Sequence, residues 1–85
     1  MPYFVYILEC SDSTLYTGIT TDVQKRLHEH NNTQKGAKYT KIRRPVKLLH
    51  VEELEDRSSA SKREYAIKKL KRDEKLALIG RSDCL

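Results

Sequence analysis

YFVYILECSDSTLYTGIT, residues 3–20, holds two runs of aromatic, aliphatic and β-branched residues around the polar break Ser11-Asp12-Ser13. Runs of this kind on either side of a short polar break read as a β-hairpin. Side chains alternate along a strand, so Phe4, Tyr6 and Leu8 share one face of the first strand. By the same rule Tyr16, Gly18 and Thr20 share one face of the second. A turn centred on Asp12 pairs even-numbered residues with even-numbered ones, which sets Tyr6 and Tyr16 on the same face with Gly18 close to both. A buried tyrosine needs a partner for its hydroxyl, so this pair is either a packing solution or part of a site. A glycine inside a strand marks either a bend or a close approach by a ligand or another backbone.

Outward from the hairpin, Asp22 can cap a helix running to about Asn31, with Val23 and Leu27 as its apolar stripe. Arg26 and His30 lie four apart on the flank of that stripe and point the same way. Residues 32–45, polar, basic and closed by Pro45, read as a surface loop with at most a short turn inside. Val46 to Leu54 is the third strand, and strict alternation sets Val46, Leu48, His50 and Glu52 on one face. A helix follows from about Arg57 to Arg72, with Ala60, Ile67 and Leu70 on its apolar side and Glu64 near the edge of it. The last helix has Asp73 as its expected cap, Leu76, Ala77 and Ile79 as its apolar face, and Gly80 as terminator. The tail RSDCL is expected to fray. The fold class is therefore α+β (mixed α/β), one domain over residues 1–85, with a three-stranded antiparallel sheet flanked by helices in the order β-β-α-β-α-α.

Seventeen Lys and Arg against twelve Asp and Glu give a formal charge of +5, which favours polyanionic partners, nucleic acid foremost. Cys10 and Cys84 are far apart and outside any C-x-x-C spacing, so neither a zinc ribbon nor a disulfide framework is indicated. No apolar run approaches the roughly 20 residues of a membrane span, and the N-terminus lacks a basic leader. No membrane association and a cytoplasmic location are the expectation. His28 and His30 do not form a metal site, because residues two apart on a helix project about 200° apart.

The residues with unusual chemistry are Tyr6, Tyr16, Gly18, Arg26, His30, Tyr39 and Glu64. Together they suit phosphodiester hydrolysis, which needs an activated water, a cation facing the charge that builds on phosphorus, and an acid near the leaving oxygen. Each has a plain structural alternative. The tyrosines can be core aromatics and Arg26 can pair with Glu29. Ser61-Lys62-Arg63-Glu64 can be a capping box, unless Asp56 or Ser58 caps that helix and leaves Glu64 in its interior.

VYI at Val5–Ile7 and YTG at Tyr16–Gly18 resemble the two halves of the GIY-YIG signature, with Val5 in place of the first glycine and Thr17 in place of the isoleucine. The resemblance runs on through Arg26 and His30 in KRLHEHN, GAKYT around Tyr39, and Glu64 in SKREYAIKKLKR. It is strongest to small stand-alone bacterial GIY-YIG proteins. It implies a metal-dependent DNA endonuclease linked to repair or recombination, with Glu64 as sole protein ligand of one Mg²⁺ or Mn²⁺. Tyr6 would receive the nucleophile's proton as a phenolate, with Tyr16 positioning water or phosphate. Arg26 would bind the scissile phosphate, His30 would orient a tyrosine or shuttle a proton, and Tyr39 sits where relatives carry another His or Tyr. Gly18 would let the phosphate backbone approach. Independently of the resemblance, the run KKLKR at 68–72 reads as a solvated face or, together with Lys38, Lys41, Arg43 and Arg44, as a phosphate-tracking surface. The late asparagine of some active relatives has no counterpart here. A nucleic-acid-binding module with weak or lost catalysis, and a protein-interaction adaptor, are the competing expectations.

Overall fold

Strands β1 (Tyr3–Glu9) and β2 (Leu15–Thr20) form the predicted hairpin, and β3 (Lys47–Leu54) pairs with the other edge of β1. All pairings are antiparallel in the order β2-β1-β3. Helices α1 (Val23–Asn32), a one-turn α2 (Lys38–Lys41), α3 (Arg57–Lys68) and α4 (Arg72–Leu78) complete the chain. The computed structural model describes residues 2–33 and 35–80; the RSDCL tail, Cys84 included, lies outside them.

The hairpin register is the one a turn on Asp12 dictates: Tyr6 faces Gly18 and Leu8 faces Tyr16. Asp12 holds the turn by accepting from the Thr14 amide and hydroxyl, and Ser13 takes the positive φ of 69°. The even face of β1 packs Tyr6, Leu8 and Cys10 with Val46, Tyr16, Leu48 and Leu27 of α1. The odd face packs Val5 and Ile7 with Ala60 and Ile67 of α3, and with Leu78 and Ile79. The sheet thus lies between α1 on one side and α3 with α4 on the other.

Strict alternation fails in β3. Ile7 pairs with His50 but Leu8 with Leu48, so a bulge absorbs Leu49. Val46 and Leu48 face α1, whereas His50 and Glu52 cross to the α3 side, where Arg63 grips Glu52 through both carboxylate oxygens at 2.7 and 3.0 Å. Two helix boundaries also differ from expectation. α3 stops at Lys68, and α4 is capped at Lys71, whose amide donates to Glu74 at 2.8 Å; Asp73 sits in the first turn, where its charge favours the helix dipole. Ala77 is exposed, whereas Gly80 ends α4 as expected, taking a φ of 72° one residue past the C-cap Ile79.

Thr17 faces Ile7 across the hairpin with 3% of its surface exposed, and its hydroxyl has no hydrogen-bond partner among the described residues. Thr17→Val keeps the shape and removes the orphan hydroxyl. It is expected to stabilise the fold by about 1 kcal/mol, read as a higher urea midpoint with unchanged slope. A lower midpoint would mean that the hydroxyl has a partner in solution.

Candidate active site

Asp22 accepts from the Lys25 amide at 3.0 Å and starts α1, whose rise over one turn brings Arg26 and His30 to the even face of the hairpin. His30 is fully buried there, with Nε2 2.8 Å from the Tyr6 hydroxyl. Its other nitrogen, Nδ1, lies 2.8 Å from the Thr40 hydroxyl. Arg26 lies close enough for its charge to act on the Tyr6 phenol, and donates to Glu29 at 3.0 Å and to the Lys35 carbonyl at 2.8 Å. Beside Arg26 an open depression of about 390 Å³ is lined by Thr20, Thr21, Asp22, Lys25 and Glu29.

Tyr6 reaches this position because position 18 is glycine. A Cβ on Gly18 would stand 2.5 Å from the Tyr6 hydroxyl oxygen and 2.7 Å from Cζ, so the phenol occupies the space a side chain would need. The close approach inferred at this glycine is therefore made by the Tyr6 ring. Tyr16 packs edge-on against His30 at 5.3 Å and stacks on Tyr39 at 5.9 Å, with the Arg43 guanidinium 3.9 Å over the Tyr39 ring. Arg43 also donates to Asp12, tying the stack to the hairpin turn.

The electrostatics follow from burial. Burial pushes the Tyr6 phenol up to about 12 against the opposing pull of Arg26, so the resting site holds phenol and not phenolate. Burial, and then the Arg26 charge, push His30 down to about 4, so the ring is neutral at neutral pH. The folded value lies below the ordinary 6.5, so the unfolded chain takes the proton more readily. Stability from the neutral ring is complete above about 6.5 and is lost as pH falls toward about 4, a swing of about 2–3 kcal/mol. Glu52, held down to about 2 by Arg63, adds loss only below about 4.5. Urea titrations between about pH 7 and 4.5 are expected to show the His30 loss, and a flat profile there would contradict it.

Glu64 lies in the interior of α3, because Asp56 accepts from the Ser59 amide and caps the helix. The capping-box reading of Ser61 is thereby excluded. The Glu64 side chain is 23% exposed, its carboxylate pairs with Lys68 at 3.2 Å, and its negative charge adds slightly to the rise of the Tyr6 phenol. Among the described residues no group of three or more His, Cys, Asp or Glu is arranged to hold a metal ion. One accessible carboxylate fits a hydrated hard cation such as Mg²⁺ or Mn²⁺, which keeps waters and takes phosphate oxygens, and does not fit a dedicated protein cage.

The structure thus gathers Tyr6, Tyr16, Arg26, His30 and Tyr39, with Glu64 nearby. The basic loop divides. Lys38 is exposed on α2 and Lys41 is half-buried, while Arg43 is pinned over Tyr39. Arg44 is not presented outward: it donates to the carbonyls of His30 at 2.6 Å, Glu29 at 3.3 Å and Thr33, closing the C-terminus of α1. Sequence reasoning missed Thr40, which is fully buried inside what reads as a polar loop. It also missed the clamp in which Asn31 takes both backbone groups of Val46, at 2.8 and 3.0 Å.

The profile of the GIY-YIG catalytic domain matches residues 2–77. The chain is 56% identical over 81 residues to a UPF0213 protein of Desulfotalea psychrophila, covering 95% of this chain and 74% of that protein. With a UPF0213 protein of Syntrophus aciditrophicus it shares 62% identity over 76 residues, 89% of this chain and 87% of the other. The solution NMR structure of a UPF0213 protein from Bacillus halodurans superimposes with a TM-score of 0.60 at 42% identity, covering 94% of this chain and 84% of that one. A second NMR structure, of a protein from E. faecalis, gives 0.62 at 43% identity over 92% and 83% of the two chains. This domain type supports a nuclease-type function and nucleic-acid binding in general, and its nucleases are generally dependent on a divalent metal. With the fold, the even-face tyrosines and these relatives in agreement, the chain belongs to the GIY-YIG domain family.

Proposed function

We propose that this protein is a metal-dependent endonuclease that hydrolyses DNA phosphodiester bonds, directed by distorted, branched or single-stranded structure and serving repair or recombination. The observation that carries the reading is the buried hydrogen bond between Tyr6 and His30, with the Arg26 and Glu64 charges bearing on the same phenol. Arg26 binds the scissile phosphate, a planar guanidinium being suited to two phosphate oxygens. Tyr6, a phenol at rest, takes a proton from the attacking water as it hands its own to the neutral His30. Tyr16, backed by the Tyr39–Arg43 stack, holds the edge of the reacting group. Gly18 leaves room for Tyr6, and Lys38 and Lys41 offer positive charge to the flanking phosphates. Glu64 would hold Mg²⁺ or Mn²⁺, which when bound lowers the pKa of water and offsets phosphate charge.

A second reading, binding without cutting, is favoured by one observation. Both reacting charges are already neutralised inside the chain, Glu64 by Lys68 and Arg26 by Glu29. The two readings separate in a cleavage assay on labelled single-stranded, duplex, flap and junction DNAs with Mg²⁺, Mn²⁺ or EDTA. Cutting that needs the metal supports the nuclease. Salt-sensitive binding with no cutting by folded protein supports the binding module, and no binding at moderate salt points to a protein-interaction adaptor.

A further inference from the structure

We infer that Ile42 is a wedge that enters DNA at an unstacked base step, so that the loop beside the candidate site selects substrates whose base faces are already open. This rests on the DNA-binding part of the reading above and names the substrate feature that the surface takes.

Ile42 follows the last residue of α2 in a still-helical conformation, φ −91° and ψ 0°. At 79% exposure it is the most exposed large apolar residue among those described. A single apolar side chain at a surface is common. Here, however, the residues around it are tied down and hold it outward. The buried Thr40, two residues earlier, sets its hydroxyl 2.8 Å from His30 Nδ1 and 2.9 Å from the Ala37 carbonyl. On the other side, the Arg43 amide donates to the Thr40 carbonyl at 3.0 Å, and the Arg43 carbonyl accepts from the Ser11 amide at 2.9 Å. The Arg43 guanidinium binds Asp12 and the Tyr39 carbonyl. Residues two apart on a helical turn project about 200° apart, so anchoring Thr40 inward drives both Ile42 and Lys38 outward. Both are exposed. The turn cannot roll to bury Ile42 without breaking the contacts of Thr40 and Arg43. A β-branched side chain also has few rotamers to lose when it makes a contact.

The surroundings select the occupant. Lys38, four residues away, shares the outward side of the turn. Tyr39 continues inward through Tyr16 to His30, with ring centroids 5.9 and 5.3 Å apart. An apolar tip beside a cation, at the outer end of an aromatic stack and on a chain of charge +5, complements a polyanion that also offers apolar faces. Bases in an intact duplex hide those faces in the stack, whereas a bulge, flap or branch leaves some of them open. Isoleucine is among the side chains that insert between base steps at the cost of unstacking them, and that cost is smallest where stacking is already lost. Ile42 therefore reads distortion, while the neighbouring cations hold phosphates without regard to sequence. A protein partner would fit a broader apolar core than one side chain set among charges.

The test is binding of the whole chain, in EDTA to prevent cutting, to a paired duplex and to the same duplex with an unpaired bulge. 2-Aminopurine beside the bulge reports unstacking by its rise in fluorescence. The wild type is expected to prefer the bulged duplex and to raise the fluorescence. In Ile42→Ala that preference is expected to fall about tenfold and the rise to disappear, with Ile42→Leu keeping both. A urea midpoint unchanged in Ile42→Ala shows that the loss is not unfolding. A wild type without the preference, or an Ile42→Ala variant that keeps the preference and the signal, would overturn the inference. So would self-association of the wild type that Ile42→Ala abolishes, since the face would then belong to a second copy. The wedge signal without cutting once metal is added refutes the nuclease reading alone, and no DNA binding at all refutes both.

Discussion

Glu64→Gln is expected to lower metal-dependent cleavage by about a thousandfold or more while the urea midpoint stays near that of the wild type. The carboxylate's charge bears on Tyr6, and glutamine keeps its shape without the charge a hard cation needs. Stability is little affected because Glu64 makes a partly exposed i,i+4 pair with Lys68, worth about 0.3–0.5 kcal/mol. Arg26→Ala is the companion. It removes the guanidinium beside Tyr6 along with bonds to Glu29 and the Lys35 carbonyl, so a comparable loss of rate comes with a modest loss of stability. Initial rates in Mn²⁺, with denaturation curves of each variant, check both. Rates within a few-fold of the wild type in either variant would sink this site assignment.

Gly18→Ala is expected to damage both stability and activity, by about 2–3 kcal/mol and at least about tenfold. The added methyl meets the Tyr6 hydroxyl oxygen at 2.5 Å and Cζ at 2.7 Å, closer than carbon atoms approach one another. A surface tyrosine would swing aside. Tyr6 is 2% exposed, bonded to His30 and flanked by Tyr16, so moving it breaks the buried hydrogen bond and leaves His30 Nε2 without a partner. Adding Tyr6→Phe removes the nearest clashing atom and is expected to recover part of the stability but none of the activity. Coupling between the two substitutions is read from a double-mutant cycle, and additive effects would mean that Tyr6 does not occupy the space over Gly18 in solution.

The hairpin and its tyrosines were legible because the signal is local. A short polar turn leaves one register in which both apolar runs face inward, and that register puts Tyr6 beside Gly18. The start of α1 was legible for the same reason, since Asp22 caps a donor three residues away. Elsewhere local signals compete. Two capping patterns overlap at the start of α3, and Asp56 prevails over Ser61, which is what leaves Glu64 available. Alternation along β3 carries no mark of the bulge at Leu49, so it puts His50 and Glu52 on the wrong face. In the basic loop, composition shows solvated charge but not which cation finds an internal acceptor. Arg44 ends on the carbonyls of α1 because the chain path brings it there.

Sequence by itself determined the fold class, the pairing of the hairpin, the family and the residue types of the site, because period, turn chemistry and caps act over a few residues. Tertiary structure alone decided that Tyr6 lies over Gly18 as a phenol, that His30 is neutral and held by Thr40, and that Arg44 closes a helix. Those outcomes depend on burial and on which donor meets which acceptor across the fold, and neither quantity exists until the chain has closed on itself.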